Sequence, residues 1–487
     1  MKSYDIKYIL QHPAIALTAF AIVIIFGIFL RFHSLGLQSI WDDEAFTVQN
    51  ITSAWRAAAY QPVNNHPPFY FAQLRLWRHL RQIEPHSLSG LSFLRANAAF
   101  WGSLSLILFY FLARRYFDTW LALSGTAIMA LSPLHLAYSQ DARPYTLALT
   151  LGLAGFLLID WIARTDSRIR IVSWFALGVL WALELYTHYW GIFVVAGQMV
   201  FGVLSAQNNR RRVNLALTFV CAMIVFGAWW PVLNFHLHEK NSTTLNLLVP
   251  RLADLGKTFA AFSGFQFQFG HQTFIHPWPL WLVTTGIVLT LGIFLLGFLR
   301  GPRLAQVWLV IGIGVPFLIS YWQPIFLWYR YPFLSYGAFV LLVISGLSKV
   351  PSRILRTLFI FFILSAEATA CFQYFNGWQK GNAKSAVDYV HSLQTETSIL
   401  VRPKYFGDVM SYYDNTPPAR VTDEDSLDSS EKRLALQSKH IIFLSFNAPS
   451  DPVGEALLLS LPTNSQRFFP ALPLHGITVY ELGKPAK

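Results

Sequence analysis

Eleven apolar stretches constrain this chain more than any other feature. They run approximately over 14–32, 92–112, 119–137, 145–162, 171–187, 189–205, 213–232, 279–298, 304–322, 333–347 and 355–373. Each approaches the roughly 20 residues that a helix needs to cross a bilayer. Lipid offers the backbone no hydrogen bonds, so only helices and closed barrels span it. Runs of this length read as helices. Charged residues make up 13% of the chain, about half of what a soluble domain carries. A soluble enzyme and a disordered chain are both excluded. The expected fold is a polytopic α-helical membrane protein with about 11 transmembrane helices. The first run follows Lys2 and Lys7 and lacks a small-residue cleavage site, so it reads as a retained span.

The formal charge of +12 is unevenly spread: residues 1–373 carry +13 and residues 374–487 carry −1. With the N-terminus inside, the inner loops hold Arg114 and Arg115; Arg164, Arg168 and Arg170; Arg210, Arg211 and Arg212; Arg300 and Arg303; and Lys349, Arg353 and Arg356. That is the asymmetry orientation by basic residues requires. It predicts a cytoplasmic N-terminus and an extracytoplasmic C-terminal segment. No Lys/Arg cluster exceeds three residues, so the basic balance does not point to nucleic acid. Cys221 and Cys371 both lie in apolar runs. They read as small buried hydrophobes with no disulfide framework.

Two outer loops are long, 33–91 and 234–278. In the first, Pro67 and Pro68 suit the opening of a helix. The following FYFAQLRLWRHLRQI, with Arg75, Arg78 and Arg81, reads as an interfacial helix with its cations at lipid headgroups. Beyond Phe375, short runs of β type (SILV, HIIFLSF, GITVYEL) alternate with helix-like AKSAVDYVHSL and DPVGEALLLSL. This divides the chain into a membrane module, 1–373, and a small soluble α/β domain, 374–487.

The polar residues on the predicted outer side come from five separate segments. Asp42, Asp43 and Glu44 open the first outer loop, and His66 lies later in it. Asp141 and Arg143 form the turn SQDARPY; Glu184 and His188 close span five, with a spacing that predicts one helix face; Arg330 precedes span ten. Each also has a structural reading. Adjacent acids make a solvated loop, His66 precedes a turn, Asp141 and Arg143 pair with each other, Glu184 and His188 pack, and Arg330 snorkels. Ionisable groups at membrane depth are nevertheless functional candidates. Glu367, alone in the last span, has no assigned part. A carboxylate base facing phosphate-matching arginines suggests group transfer from a lipid phosphate. No Walker loop, HExxH, paired CxxC or Ser-His-Asp arrangement is visible.

The segments WDDEAF, NNHPPFYF, SPLHLAYSQDARPYTLAL, LYTHYWGIF and YRYPFLSYGAF, in that order over about residues 15–345, resemble bacterial members of glycosyltransferase family 39. These are GT-C-fold enzymes related to protein O-mannosyltransferases and to lipid A aminoarabinose transferases. The resemblance implies inverting transfer of a sugar from a polyprenyl-phosphate carrier to a hydroxyl of a protein, lipid or glycan acceptor. It aligns the family's Asp-Glu pair with Asp43 and Glu44, making Asp43 the expected base, with Asp42 an additional acid. It also matches His66, Asp141, Arg143, His188 and Arg330 to substrate and phosphate binding. A divalent metal on Asp43, Asp141 and His188 stays open. The alternatives are a transferase or polymerase using a lipid pyrophosphate donor, a secondary transporter, or a non-catalytic binding module.

Overall fold

In the computed structural model of the chain, the described residues are 13–60, 66–81, 88–165, 169–238, 248–269, 272–328, 330–377, 380 and 383–392, with 397–402, 409, 412–413, 440–446 and 477–483 beyond them. Helices in chain order are α1 (Pro13–Phe32), α2 (Asp42–Thr52), α3 (Trp55–Ala59), α4 (Phe69–His79), α5 (Leu88–Arg114), α6 (Thr119–Leu131), α7 (Pro133–Ser139), α8 (Tyr145–Arg164), α9 (Ile171–Thr187) and α10 (Gly191–Ser205). They continue as α11 (Asn209–Gly227), α12 (Trp230–His238), α13 (Leu252–Phe262), α14 (Leu280–Arg300), α15 (Arg303–Leu309), α16 (Val315–Ile319), α17 (Tyr336–Ser348), α18 (Arg353–Asn376) and α19 (Ala383–Ser392). A π-helical turn joins α15 to α16, and a 3₁₀ turn over Tyr331–Ser335 leads into α17.

Every one of the eleven apolar stretches falls on helix. By length and composition, six helices among the described residues can cross a membrane, or eight if each of two bent pairs counts as one. Three further apolar helices, 171–187, 191–205 and 303–319, are shorter. Helices α8 and α17 are almost enclosed by neighbours, whereas α1, α14 and α18 leave most of their apolar surface outward. Cys371 is buried as expected, but Cys221 lies on an outward face of α11.

The bends have local causes. Pro133 cannot donate a backbone hydrogen bond, so α6 stops at Leu131 and α7 starts again at 61°. Ser132 accepts from the His135 backbone N–H as the N-cap of α7. The carbonyls stranded at the end of α6 are taken by a buried cation from another helix. Arg31 of α1 donates to Met129 O at 3.0 Å and Ala130 O at 3.2 Å, and its guanidinium lies 2.9 Å from His135 Nδ1. The second bend, 69° between α11 and α12, falls just before Pro231.

Outside the bundle, β1 (Gln266–Phe269) and β2 (Gln272–Ile275) form an antiparallel hairpin that the sequence did not announce. Helix α4 is present, and its Arg75 donates to the Asn50 and Ser53 carbonyls at the end of α2 and lies over Trp55. After α18, α19 is followed by β3 (Thr397–Arg402), β4 (His440–Phe446) and β5 (Ile477–Gly483), in sheet order β3-β4-β5 with a parallel and then an antiparallel pair. These coincide with the three predicted strand runs; the predicted helix DPVGEALLLSL lies outside the described residues. Glu367 is buried against Gly264, whose φ of +75° and missing side chain leave room for the carboxylate.

Helices α14 and α17 touch backbone to backbone. A Cβ on Gly346 would sit 1.9 Å from Ile293 O, and one on Gly297 would sit 1.8 Å from Leu342 O. Such approaches are what small residues permit between membrane helices. Gly346→Val should therefore destabilise the bundle by about 3 kcal/mol or more, read as a lowered melting temperature in detergent. Gly292→Ala, with open space around it, serves as the control.

Candidate active site

The three adjacent acids form the first turn of α2, where the helix dipole favours negative charge. Successive helix residues point about 100° apart, so neighbours in sequence have different surroundings. Asp42 is half-buried. Glu44 turns inward to Arg95 of α5, which binds it through Nε–Oε1 at 2.7 Å and Nη2–Oε2 at 2.6 Å. The Ala142 N–H donates to the same carboxylate at 3.0 Å, and Lys380 Nζ lies 3.6 Å from it. Arg95 also donates to the carbonyls of Leu35, Gln38 and Ser39. Burial opposes the Glu44 charge, but Arg95 and then Lys380 outweigh it and hold the carboxyl down at about 2.

Asp43 faces the opposite way, towards two guanidiniums. Arg330 Nη1 lies 2.8 Å from its Oδ2, and Arg143 Nε lies 3.7 Å from the same atom. Arg143 reaches there because the α7–α8 turn delivers it beside α2, where it donates to Asp43 O at 3.1 Å and Thr47 Oγ1 at 3.2 Å. Arg330 stacks over Trp41 at 5.3 Å.

Two histidines complete the group. His66 Nε2 accepts from Arg143 Nη2 at 2.6 Å, and the ring centres of His66 and His188 are 4.9 Å apart. Burial first, and then Arg143 and other nearby cations, push the His66 pKa well below the ordinary value. The same causes push that of His188 down to about 3. Both rings are therefore neutral at pH 7. The hydrogen bonds assign their tautomers. His66 accepts at Nε2, so its proton is on Nδ1; His188 Nδ1 accepts from the Trp190 N–H at 3.0 Å, so its proton is on Nε2. Those two nitrogens, His66 Nδ1 and His188 Nε2, are buried and have no hydrogen-bond partner among the described residues.

Asp141 is fully buried. Its Oδ1 accepts from Trp41 Nε1 at 2.7 Å and lies 3.3 Å from Lys380 Nζ, while Oδ2 has no hydrogen-bond partner. Burial, only partly offset by Lys380, raises its pKa. Among the described residues, no three His, Cys, Asp or Glu side chains are arranged to hold a metal ion. Glu184 does not share a helix face with His188. Helix α9 ends at Thr187 and His188 is extended, which turns its ring toward His66 instead. Sequence reading missed Arg95, although an arginine inside an apolar run was a usable signal. It also missed Trp41 and Lys380, which carried none.

The geometry can be set beside known proteins. Residues 65–234, which include His66, Arg95, Asp141, Arg143 and His188, match the family model described as dolichyl-phosphate-mannose-protein mannosyltransferase. Among solved structures, ArnT from Cupriavidus metallidurans bound to undecaprenyl phosphate is similar at TM-score 0.57 and 14% identity, covering 95% of this chain and 97% of that one. Its apo state is similar at TM-score 0.53 and 12% identity, covering 96% and 98%. The arabinofuranosyltransferase AftD from Mycobacteria is similar at TM-score 0.50 and 13% identity, covering 97% of this chain and 40% of that one. No curated protein matches the chain in sequence. This chain has the GT-C fold of these membrane glycosyltransferases, and residues 65–234 match the mannosyltransferase family model. The fold that the five short motifs implied is borne out, although WDDEAF and YRYPFLSYGAF lie outside the matched residues.

Because Glu44 and Arg95 are buried together, removing one partner strands the other's charge. Arg95→Met should cost about 3–5 kcal/mol, read by thermal unfolding in detergent. Adding Glu44→Gln should return a substantial part of the loss, and no recovery in the double variant would show that the ion pair is not the cause.

Proposed function

We propose that this chain is an inverting glycosyltransferase that moves a sugar from a polyprenyl-phosphate carrier to an acceptor hydroxyl at the outer face of a bacterial plasma membrane. One arrangement carries the reading. The Asp43 carboxylate lies against Arg143 and Arg330, beside two neutral histidines whose buried N–H groups lack acceptors. A buried donor left unpaired costs about 1–3 kcal/mol, so these nitrogens suit a ligand rich in oxygen. Two guanidiniums and two imidazole N–H groups match a phosphate and its attached sugar in charge and donor number. The undecaprenyl phosphate named with the similar ArnT structure supports a carrier of this class.

In this reading Asp43 takes the proton of the acceptor hydroxyl. The oxygen attacks the anomeric carbon opposite the phosphate, the glycosidic C–O bond to phosphate breaks, and polyprenyl phosphate leaves. Arg143 and Arg330 stabilise the charge that gathers on the leaving phosphate. Before the donor arrives, Arg330 occupies the Asp43 oxygen; an incoming phosphate competes for that guanidinium and frees the base. Glu44 and Asp141 serve as supports, tied to Arg95, Trp41 and Lys380, rather than as reacting groups. Asp42 borders the site as an additional acid. Eleven spans, an inside N-terminus, a membrane module over 1–373 and an outer α/β domain over 374–487 complete the proposal.

Asp43→Asn should lower transfer by about 10²–10⁴ while undecaprenyl phosphate still binds. The acceptor and sugar are found by mass spectrometry of envelope glycans and glycoproteins after deletion; an unchanged envelope would overturn the reading. Arg330→Ala should weaken undecaprenyl phosphate binding by about tenfold or more, as expected for a lost charge-assisted hydrogen bond. Raising the pH through 6.5, where ordinary imidazoles lose their proton, should not weaken that binding, because His66 and His188 are already neutral. A fall in affinity there that persists in Asp141→Asn, which removes the buried carboxyl raised into the same range, would mean that they act as cations.

A further inference from the structure

The cation that completes the support around Asp43 comes from outside the eleven apolar stretches. Lys380 follows α18 and is 1% exposed. Its Nζ lies 3.1 Å from Gln140 O, 3.3 Å from Asp141 Oδ1 and 3.6 Å from Glu44 Oε1, with the Phe269 ring of the β1–β2 hairpin 5.0 Å away. An ammonium has three hydrogens, and three oxygens surround it. The backbone around it holds the same place. The Lys380 N–H donates to Gln38 Oε1 at 2.8 Å, the Lys384 N–H donates to Ser39 Oγ at 3.1 Å, and the Ile40 N–H donates to the Tyr413 hydroxyl at 2.8 Å. Residues 38, 39 and 40 are thus each bound to the segment after α18, and they lead directly into Trp41 and α2. Ala383, Val387 and Tyr412 add apolar packing in the cluster that contains Ile40, Ala45 and Val48.

We propose that Lys380 is a positioning residue: it is the buried counter-ion through which the segment after the last membrane helix holds Glu44 and Asp141, and thereby the α2 N-terminus that presents Asp43. This rests on reading Asp43 as the reacting carboxylate. Arg95 cannot replace Lys380, because its nitrogens are already directed at Glu44, Leu35, Gln38 and Ser39. Without the ammonium, the Trp41 N–H is the one donor left to the buried Asp141 Oδ1 among the described residues. The remaining groups that bear on it are Glu44, Arg95, Arg143, and the hydroxyls of Tyr70 and Tyr374. A carboxylate so placed takes up a proton or moves, and Trp41, the residue preceding α2, moves with it.

The test uses the full chain in lipid nanodiscs. The infrared band of the protonated Asp141 carboxyl, assigned by its loss in Asp141→Asn, is followed against pH, and undecaprenyl phosphate binding is measured in parallel. Lys380→Met should carry the band to higher pH than in the wild type and lower the affinity by about tenfold. Lys380→Arg should restore both. Lys380→Met combined with Asp141→Asn should bind within about threefold of wild type, since asparagine still accepts from Trp41 and no buried charge is stranded. An unmoved infrared titration in Lys380→Met, or a double variant no better than the single one, overturns the proposal. If Lys380→Met fails to accumulate, the double variant alone decides by recovering or not. If wild-type protein does not bind undecaprenyl phosphate, the functional reading fails, while the infrared arm still decides the role of Lys380.

Discussion

The Glu44–Arg95 pair is the interaction on which the polar site of this molecule depends. It joins a short helix outside the bundle to a long one within it, by two hydrogen bonds between fully buried partners. A buried charge is tolerated only when paired and hydrogen-bonded, so the contact admits little slack. Arg95 also gathers the carbonyls of the turn that leads into α2, and Glu44 takes the Ala142 N–H from the α7–α8 turn. One pair thereby registers α2, α5 and that turn together. Asp43 faces Arg143 because its neighbour Glu44 is fixed.

A second constraint brings the turn to the correct place. The break at Pro133 redirects the chain by 61°, and Arg31 satisfies the carbonyls it strands. Without such a partner, unsatisfied carbonyls inside a bilayer would be expensive. The bend thus converts a membrane-crossing helix into a short segment that ends at the site. The β1–β2 hairpin places Phe269 against Trp41 and Tyr138, closing the polar group from another direction.

Much of this was legible beforehand, for a physical reason. Apolar length reports helices because lipid leaves the backbone no alternative, so the stretches and their order could be read directly. Seven of the eight candidate site residues share one neighbourhood through contacts with one another or with Trp41, Lys380 and Arg95, because polar groups in an apolar chain have few places to go. The pairing of Glu184 with His188 failed because spacing assumes that a helix continues, and α9 stops at Thr187. Arg75, expected at lipid headgroups, also binds the carbonyls that end α2, a tertiary contact that helix periodicity does not display.

The sequence alone determined a helical membrane protein, the stretches that form its helices, and the residue types that meet in its polar site. Apolar length, charge placement and short motifs are local properties, and local properties are what a sequence displays. Tertiary structure alone decided that adjacent acids have different surroundings, that two histidines hold buried N–H groups without an acceptor among the described residues, and that Lys380 reaches back to the segment before α2. Those facts depend on which groups burial brings within hydrogen-bonding distance, and burial belongs to the assembled fold.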